Sequence, residues 1–374
     1  MRNWDSIKNN KGISKAVIAN KTTSELERCA KFINELLELK KSEKLYTTYI
    51  KGTRKAIENN EEDKVYVKLN LDGTTTGRLS CAAWDAKEAG KMGVSFHTLP
   101  RSTPKVNIRS FFNAPDGWAF GAADYSQMEL RILSHVAKEK TMQKAFLDGV
   151  DLHTYTAQLI YDTEKITKEQ RQIAKTVSFL IVYGGGAFNL ANEVKISMKK
   201  AEGILARYKR VYPGVFEYME FVEDFVKTNG YTYTIMGRRR HLPDVFSKDR
   251  RVVQRAVRQG LNFTVQSPAS DILMCALIKV YYTIKELELK SRLVCTVHDS
   301  IEYVSPWREV EFISGMLYDE MINCHYMVDK FGFKLDVPME VDMEIGSSFG
   351  INTPLEFIQG EPQNMQAIRD IYCE

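Results

Sequence analysis

Two short, largely apolar runs, each leading to an isolated aspartate, constrain the fold of this chain more than any other feature. Residues 118–123 lead into Asp124, and residues 293–297 lead into a two-residue step that ends at Asp299. Another strand-like run, 300–304, follows that step, so the pattern predicts a β-hairpin with an acid at its tip. Taken singly, each aspartate could merely serve a turn. Two carboxylates at neighbouring strand ends can hold divalent cations roughly 4 Å apart, the geometry for displacement at phosphorus.

Between these aspartates lies a segment whose basic and aromatic residues recur every four positions. On a helix, Arg171, Lys175, Phe179 and Tyr183 form one slowly drifting stripe. Such a stripe is often just an amphipathic surface, but together with the two aspartates it indicates nucleotidyl transfer. The opposite face is apolar and is expected to pack inward; it carries Ile173, Val177 and Ile181.

Charge is informative through its distribution rather than its total. The 374 residues carry a net charge of +4, too small to identify a nucleic-acid-binding protein, and the 44% hydrophobic content allows more than one lobe. One short segment is strongly basic, which suits either a solvated face or, as we favour, a surface that follows phosphates. Its cationic residues are Arg238, Arg239, Arg240, Lys248, Arg250, Arg251, Arg255 and Arg258.

The cysteines and the hydropathy indicate a soluble, intracellular protein. No Cys-x-x-Cys pair occurs among the six cysteines, which argues against a zinc site and a disulfide framework and favours a reducing compartment. The N-terminus is polar and no apolar run reaches membrane-spanning length. We expect a cytoplasmic location (the host cytoplasm for a viral protein) and no membrane partner.

The order of predicted elements favours the α+β class. Besides the hairpin, the pattern predicts helices over 22–60, most of 129–227, 252–287 and 309–327, strands over 64–69 and 231–235, and a loop over 82–95.

Four segments resemble motifs of the family A DNA polymerases, the group of bacterial DNA polymerase I. Residues 124–131 (DYSQMELR) resemble motif A, 171–184 resemble motif B on the fingers helix, and 297–299 (VHD) resemble motif C. Residues 76–80 (TGRLS) resemble a further segment that contacts the primer-template. Order and spacing agree with the family over residues 65–349, and four motifs in order are very specific.

The resemblance implies a right-hand polymerase with an antiparallel-sheet palm, helical fingers and a truncated helical thumb. The little more than one hundred residues before motif A predict an incomplete thumb and no 3′–5′ exonuclease domain. A split gene with a separate exonuclease and thumb polypeptide, a phage-type protein and a minimal polymerase all remain open. The expected divisions are a partial thumb (1–64), a first palm part (65–135), fingers (136–252, with the motif B helix at 169–184) and a second palm part (253–374).

The resemblance assigns two Mg²⁺ ions to Asp124 and Asp299, with the backbone carbonyl of Tyr125 as a further ligand. Hard oxygen ligands suit Mg²⁺, which accepts partial protein coordination when phosphates supply the rest. The family usually has a glutamate after the motif C aspartate, where this chain has Ser300. Glu302 shares the strand face of Ser300 and could partly compensate, but we expect an outward surface glutamate.

The motif B stripe is implied to bind the incoming nucleotide. Arg171 and Lys175 would meet the β- and γ-phosphates, and Lys175 would also protonate the leaving pyrophosphate. Phe179 would pack on the sugar and base, and Tyr183 would lie near the templating pair. The resemblance adds three residues to this nucleotide site: Gln127, Glu129 and His153.

Glu129 is expected to select deoxynucleotides, because its side chain would fill the space beside C2′ and exclude a ribose hydroxyl. An ordinary helix-surface glutamate is the simpler alternative. His153 resembles a family histidine that touches the triphosphate, although a lone histidine is more often structural.

The primer-template is implied to lie along one face of a later helix. Arg258, Asn262 and Gln266 recur at every fourth position there, Arg78 would enter the minor groove, and His298 would hold the primer terminus. The hydrogen-bond acceptors in the minor groove are nearly the same for every base pair. Donors that contact them can therefore check the shape of a base pair without distinguishing its bases.

These features predict a template-directed DNA polymerase of replication or repair that adds deoxynucleoside triphosphates to a primer on a DNA template. A single-subunit RNA polymerase relative is disfavoured by Glu129 with Phe179. A catalytically weakened DNA-binding subunit or scaffold of a split polymerase is disfavoured by the retention of both aspartates, although Ser300 keeps it open.

Overall fold

The structure is a computed structural model that describes residues 23–60, 63–83, 93–100 and 106–373. The chain divides into two compact units, one formed by residues 1–68 and 82–95 and the other by 69–81 and 96–374, so the boundary passes through strands β1 and β2. The strands, in chain order, are β1 (Val67–Asn70), β2 (Ser80–Ala83), β3 (Trp118–Tyr125), β4 (Tyr231–Tyr233), β5 (Arg239–His241), β6 (Arg292–Val297), β7 (Ser300–Pro306), β8 (Val341–Ser348), β9 (Ile351–Leu355), β10 (Phe357–Ile358) and β11 (Glu361–Pro362).

Helices make up most of the remaining described chain, and none of those described combines the length and apolar character needed to cross a bilayer. Short 3-10 turns lie at Phe96–Thr98, Arg109–Phe111 and Pro243–Phe246, and a π-helical turn lies at Leu45–Ile50. The α-helices are α1 (Thr23–Lys44), α2 (Lys51–Asn60), α3 (Met128–Val136), α4 (Lys140–Leu147), α5 (Leu152–Tyr161), α6 (Lys168–Val182), α7 (Ala187–Val194), α8 (Met198–Val211), α9 (Pro213–Asn229), α10 (Arg250–Glu286), α11 (Val310–Asn323), α12 (His325–Phe331) and α13 (Met365–Tyr372).

The larger unit is built on a five-stranded antiparallel sheet with the order β6-β7-β3-β8-β9. Side chains alternate between its two faces. One face packs on the hydrophobic core through Ala123 and Tyr125 of β3 and their neighbours Ile301 and Met343. The other face carries the polar residues of the same strands, so the sheet separates the core from the candidate site.

Gly121 lets an aromatic ring lie flat across the core face of the sheet. A Cβ at this position would come within 2.1 Å of the ring of Tyr303, which is opposite Gly121 in the ladder. The Tyr303 hydroxyl is bonded to Ser314 of α11 at 2.8 Å, which fixes the ring in place. Glycine is therefore required by close packing here.

The helices between β3 and β6 begin and end at residues that suit those positions. Thr167 forms a capping box with Gln170 at the start of α6, and Gly230 with φ +71° follows the end of α9. On α6 the apolar face is buried as predicted, at Ile173, Val177 and Ile181.

The predicted α+β class, the long helices and the hairpin are confirmed, with local differences. The helix expected over 309–327 is broken at Cys324, whose φ of 52° ends α11 and starts α12. The first strand starts at Val67 rather than residue 64. Of the loop expected over 82–95, residues 82–83 belong to β2 and 84–92 lie outside the described residues.

Candidate active site

Asp124 lies next to the end of β3, on the polar face of the sheet. In the ladder it stands opposite Ser300 of β7 and opposite Asp342 of β8. Asp299 occupies the second position of the two-residue turn between β6 and β7, where Val297 pairs with Ser300. The sequence prediction of an acid at a hairpin tip is therefore confirmed.

The backbone joins the two aspartate-bearing segments. The Tyr125 N–H donates to the Asp299 carbonyl at 3.2 Å, and His298 adopts a left-handed φ of 62° that completes the turn. Both aspartates line one cavity of about 830 Å³, here called the aspartate cavity, together with Gln127 and residues of α6. The fold thus brings together the two carboxylates that the sequence singled out.

Arg78 bridges this cavity from one side. Its Nη2 donates to Glu129 Oε1 at 2.7 Å and to Asp299 Oδ1 at 2.8 Å, while the Tyr183 hydroxyl donates to Glu129 Oε2 at 3.1 Å. Glu129 is 5% exposed, which excludes an ordinary surface glutamate. Burial raises the pKa of Glu129 more than Arg78 lowers it, and burial with the neighbouring Glu129 raises the pKa of Tyr183 to about 12.

The basic-aromatic stripe of α6 is distributed over more than one environment. Phe179 and Tyr183 line the aspartate cavity. Lys175 is exposed and lines a second cavity of about 600 Å³, here called the helix cavity, with Phe179, Tyr183 and Arg258. Arg171 is held by Asp151 through Nε and Nη2 at 2.9 and 3.0 Å.

Two groups behind the stripe have shifted pKa values. Burial opposes the charge of Asp151, but hydrogen bonds from Arg171 and Thr154 lower its pKa to about 2. His153 is buried, with its ring centroid 5.9 Å from that of Phe179. Burial lowers the pKa of His153 to about 4, so the imidazole is neutral at pH 7.

The residues predicted to contact the primer-template lie around the same region. Arg78 and His298 line the aspartate cavity, and Arg258 lines the helix cavity against Gly184, whose φ is +65°. Gln266 lies near the Tyr183 hydroxyl and partly offsets the rise in the pKa of Tyr183. Asn262 Oδ1 is buried with no hydrogen-bond partner among the described residues.

Glu302 corrects the sequence interpretation of an outward surface glutamate. The structure buries it to 2% exposure, with Oε1 2.6 Å from the Ser300 hydroxyl. The expectation that the two share a strand face is confirmed. Burial raises the pKa of Glu302 to about 8. The local rule failed because β7 is an inner strand of the sheet and is buried on both faces.

Other residues of the site were missed. Asp342 and Glu344 of β8 line a groove of about 590 Å³ with Asp124 and Glu302, here called the acidic groove. The alternation of apolar and acidic residues over 341–344 (VDME) is a strand signal in the sequence that could have revealed them. Arg109, which lines both this groove and the aspartate cavity, has no sequence pattern of its own.

The donor set of the aspartate cavity suits a hard divalent cation. Asp124 and Asp299 offer carboxylate oxygens, and Asp299 already pairs with one positive group, the Arg78 guanidinium. Among the described residues no group of three or more His, Cys, Asp or Glu side chains is arranged to hold a metal ion. Two carboxylates alone fit Mg²⁺, which keeps water and phosphate oxygens as its other ligands.

Comparison with known proteins gives one consistent result. The model of "DNA polymerase family A" matches residues 3–351. The chain is 33% identical over 314 residues to DNA polymerase I of Caldicellulosiruptor bescii and 32% identical over 321 residues to that of Bacillus subtilis, covering 83% and 85% of this chain but 35% and 34% of those proteins. It thus spans about a third of the length of these relatives.

A solved structure is similar over most of the chain. The POL domain of Pol1 from M. smegmatis, in complex with DNA primer-template and dNTP, superposes with a TM-score of 0.77 at 30% identity. The match covers 87% of this chain and 54% of that one.

Proposed function

The chain belongs to DNA polymerase family A, and on this premise we propose that it extends the 3′-hydroxyl of a primer with deoxynucleotides selected by a template strand. The observation that carries the proposal is that Asp124 and Asp299 share one cavity with Phe179 and Tyr183 of the motif B segment. Primer-template DNA and a deoxynucleoside triphosphate are the implied ligands, and replication or repair is the implied process.

Asp124, Asp299 and the Tyr125 carbonyl would hold two Mg²⁺ ions. Such ions activate the primer 3′-hydroxyl and stabilise the pyrophosphate leaving group. The protein supplies carboxylates fixed at the ends of two hydrogen-bonded strands, so little reorganisation is needed when charge develops in the transition state.

The triphosphate would lie along the exposed side of α6. Lys175 is exposed there and would protonate the departing pyrophosphate. Arg171 would leave its ion pair with Asp151 and contact the phosphates instead. His153 is neutral and packed behind Phe179, so it can offer a neutral N–H rather than a charge. Arg171 is therefore the cation that must change partner on binding.

The sugar and base would fill the space between α6 and the start of α3. Phe179 would pack on the sugar and base and Tyr183 would lie beside the templating pair, with Gln127 facing the same cavity. Glu129 is held in place by Arg78 and Tyr183, so its side chain forms a fixed wall rather than a mobile one. A fixed wall is what exclusion of a ribose hydroxyl requires.

The primer-template would be held by donors that do not read sequence. Arg78, Arg258, Asn262, Gln266 and His298 would contact the minor groove and the primer terminus. The basic segment over 238–258 would contact phosphates. We assign residues 1–64 to a thumb, 65–135 and 253–374 to a palm, and 136–252 to fingers.

Primer extension by the purified chain tests the proposal. Asp124→Ala and Asp299→Ala should each nearly abolish extension in Mg²⁺, because a lost metal ligand removes transition-state stabilisation, while primer-template binding by fluorescence anisotropy survives. Asp319→Ala, at an exposed position of α11, is the matched control for loss of a carboxylate. DNA binding without extension by the unmodified chain would indicate a silent subunit, and a preference for ribonucleotides would indicate an RNA polymerase relative.

A further inference from the structure

Glu302 is an unusual residue for the middle of a buried strand. It lies in β7 between Ala122 and Cys295 of the neighbouring strands, and neither of these carries a charge that could compensate a carboxylate. A carboxyl group with 2% exposure is costly unless it is hydrogen-bonded. The presence of a carboxyl group at this position therefore needs a physical explanation.

A chain of hydrogen bonds connects Glu302 to the turn that carries Asp299. Glu302 Oε1 lies 2.6 Å from Ser300 Oγ, and Ser300 Oγ lies 2.9 Å from the carbonyl oxygen of Val297. A serine hydroxyl has a single proton and can donate to one of these oxygens at a time. It either donates to Glu302, or donates to Val297 while a protonated Glu302 carboxyl donates to it, and in both cases the bond ties Glu302 to Ser300.

Ser300 connects Glu302 to the turn, and Glu302 in turn faces the acidic groove. Val297 and Ser300 are the paired residues that bracket the turn, so a bond between them closes the turn across His298 and Asp299. Glu302 Oε2 has no hydrogen-bond partner among the described residues, and Glu302 faces the acidic groove beside Asp124 rather than the hydrophobic core. The Glu302 carboxyl group is therefore linked to the turn that carries Asp299 through the Ser300 hydroxyl.

We propose that Glu302 is a positioning residue that acts through the Ser300 hydroxyl to fix the turn carrying Asp299, so that Asp299 and Asp124 face the aspartate cavity together. The inference rests on the proposed cation site of those two aspartates. Glu302 then acts on geometry through its hydrogen bond with Ser300 and not as an additional negative charge.

Mn²⁺ binding by the full chain without DNA tests the proposal, with free Mn²⁺ measured by electron paramagnetic resonance. Ser300→Ala and Glu302→Val should each weaken binding about tenfold, in the range expected for a partner that orients a metal ligand. Glu302→Gln should stay within about twofold, because the amide can accept from or donate to the Ser300 hydroxyl and so keeps the bond. The double variant Ser300→Ala/Glu302→Val should be no weaker than either single variant. Glu217→Gln, at an exposed position of α9 outside both the aspartate cavity and the acidic groove, is the matched control for loss of a carboxylate.

The outcomes separate the two levels of the proposal. Mn²⁺ binding that is unaffected by Asp124→Ala would contradict the proposed cation site itself. With that site intact, unchanged binding by Ser300→Ala and Glu302→Val, or additive losses in the double variant, would overturn the positioning role. Equal losses in Glu302→Gln and Glu302→Val would overturn it in favour of charge. Thermal melting identifies unfolded variants, and the comparison of Ser300→Ala with Glu302→Gln decides the question if Glu302→Val does not fold.

Discussion

Arg78 and Asp299 form an ion pair in which the guanidinium Nη2 lies 2.8 Å from the carboxylate Oδ1. The same nitrogen lies 2.7 Å from Glu129 Oε1. One side chain therefore connects a candidate metal ligand to the candidate sugar-selecting residue. A divalent cation at Asp299 must compete with this guanidinium. The predictions for Arg78 and Asp151 below depend on ion pairs of this kind.

Replacing Arg78 by glutamine should strengthen cation binding while slowing the reaction. Without the guanidinium, Asp299 no longer has a competing positive charge, so Mn²⁺ affinity in the absence of DNA should rise. Turnover should fall, because Glu129 loses its anchor and the primer-template loses a donor. Mn²⁺ titration and single-turnover extension measure the two effects, and a fall in both quantities would show that Arg78 supports cation binding.

Truncation of Glu129 to alanine should admit ribonucleotides. Removing the buried side chain opens space beside the sugar, and we expect the ribo- to deoxynucleotide ratio of kcat/KM to rise about 10- to 100-fold. Glu129→Gln is the matched control, since it keeps the size and removes the charge. If glutamine relaxes selectivity as much as alanine does, the exclusion is electrostatic and not steric.

Replacing Asp151 by asparagine should lower the KM for deoxynucleotides several-fold. Asp151 is ionised throughout the working range because its pKa is lowered to about 2, so it holds Arg171 at every relevant pH. Asparagine keeps the oxygen that caps α5 through the Thr154 N–H but releases Arg171 for the triphosphate. Arg171→Ala should raise KM. Steady-state kinetics that show no change in KM for either variant would remove Arg171 from the nucleotide site.

Glu302 should make stability fall with rising pH in metal-free buffer. Its pKa is raised from 4.5 to about 8 in the folded state, so the folded state binds the extra proton between these values. The contribution is complete below about pH 4.5 and is lost as pH rises through about 8, with a slope of up to about 1.4 kcal/mol per pH unit. The unfolding free energy of Glu302→Gln minus that of the unmodified chain, measured in EDTA, should rise over this window. Parallel pH profiles would contradict the buried neutral carboxyl.

Gly121→Ala should destabilise the fold by about 1–3 kcal/mol, the usual cost of overpacking a core. The added methyl would meet the Tyr303 ring, which Ser314 holds in place. Combination with Tyr303→Leu should recover part of the loss, because the shorter side chain vacates the contact. Thermal melting of the single and double variants measures this coupling, and strictly additive losses would argue against the contact.

Local sequence rules predicted the elements with a strong repeating signal. The hairpin around Asp299 and the helix with the apolar face of Ile173 and Val177 were predicted because period and turn length are local properties. The bridge from Arg78 to Glu129 and Asp299 joins residues 51 and 221 positions apart, which no local pattern can encode.

The remaining errors have a common physical origin in tertiary context. Cys324 ends a helix in a left-handed conformation that glycine or asparagine would normally signal. Glu302 is a charged residue type that the structure nevertheless buries, because it lies on an inner strand whose two faces are both covered.

The central position of β3 has a consequence for how the protein is synthesised and folds. Asp124 pairs with Ser300 and with Asp342, about 180 and about 220 residues later in the chain, and pairings this distant in sequence form slowly. During synthesis β3 must therefore wait until β7 and then β8 have left the ribosome before its two edges can pair. A nascent chain released earlier would lack the assembled candidate site, and its apolar strand would be a target for chaperones or proteases.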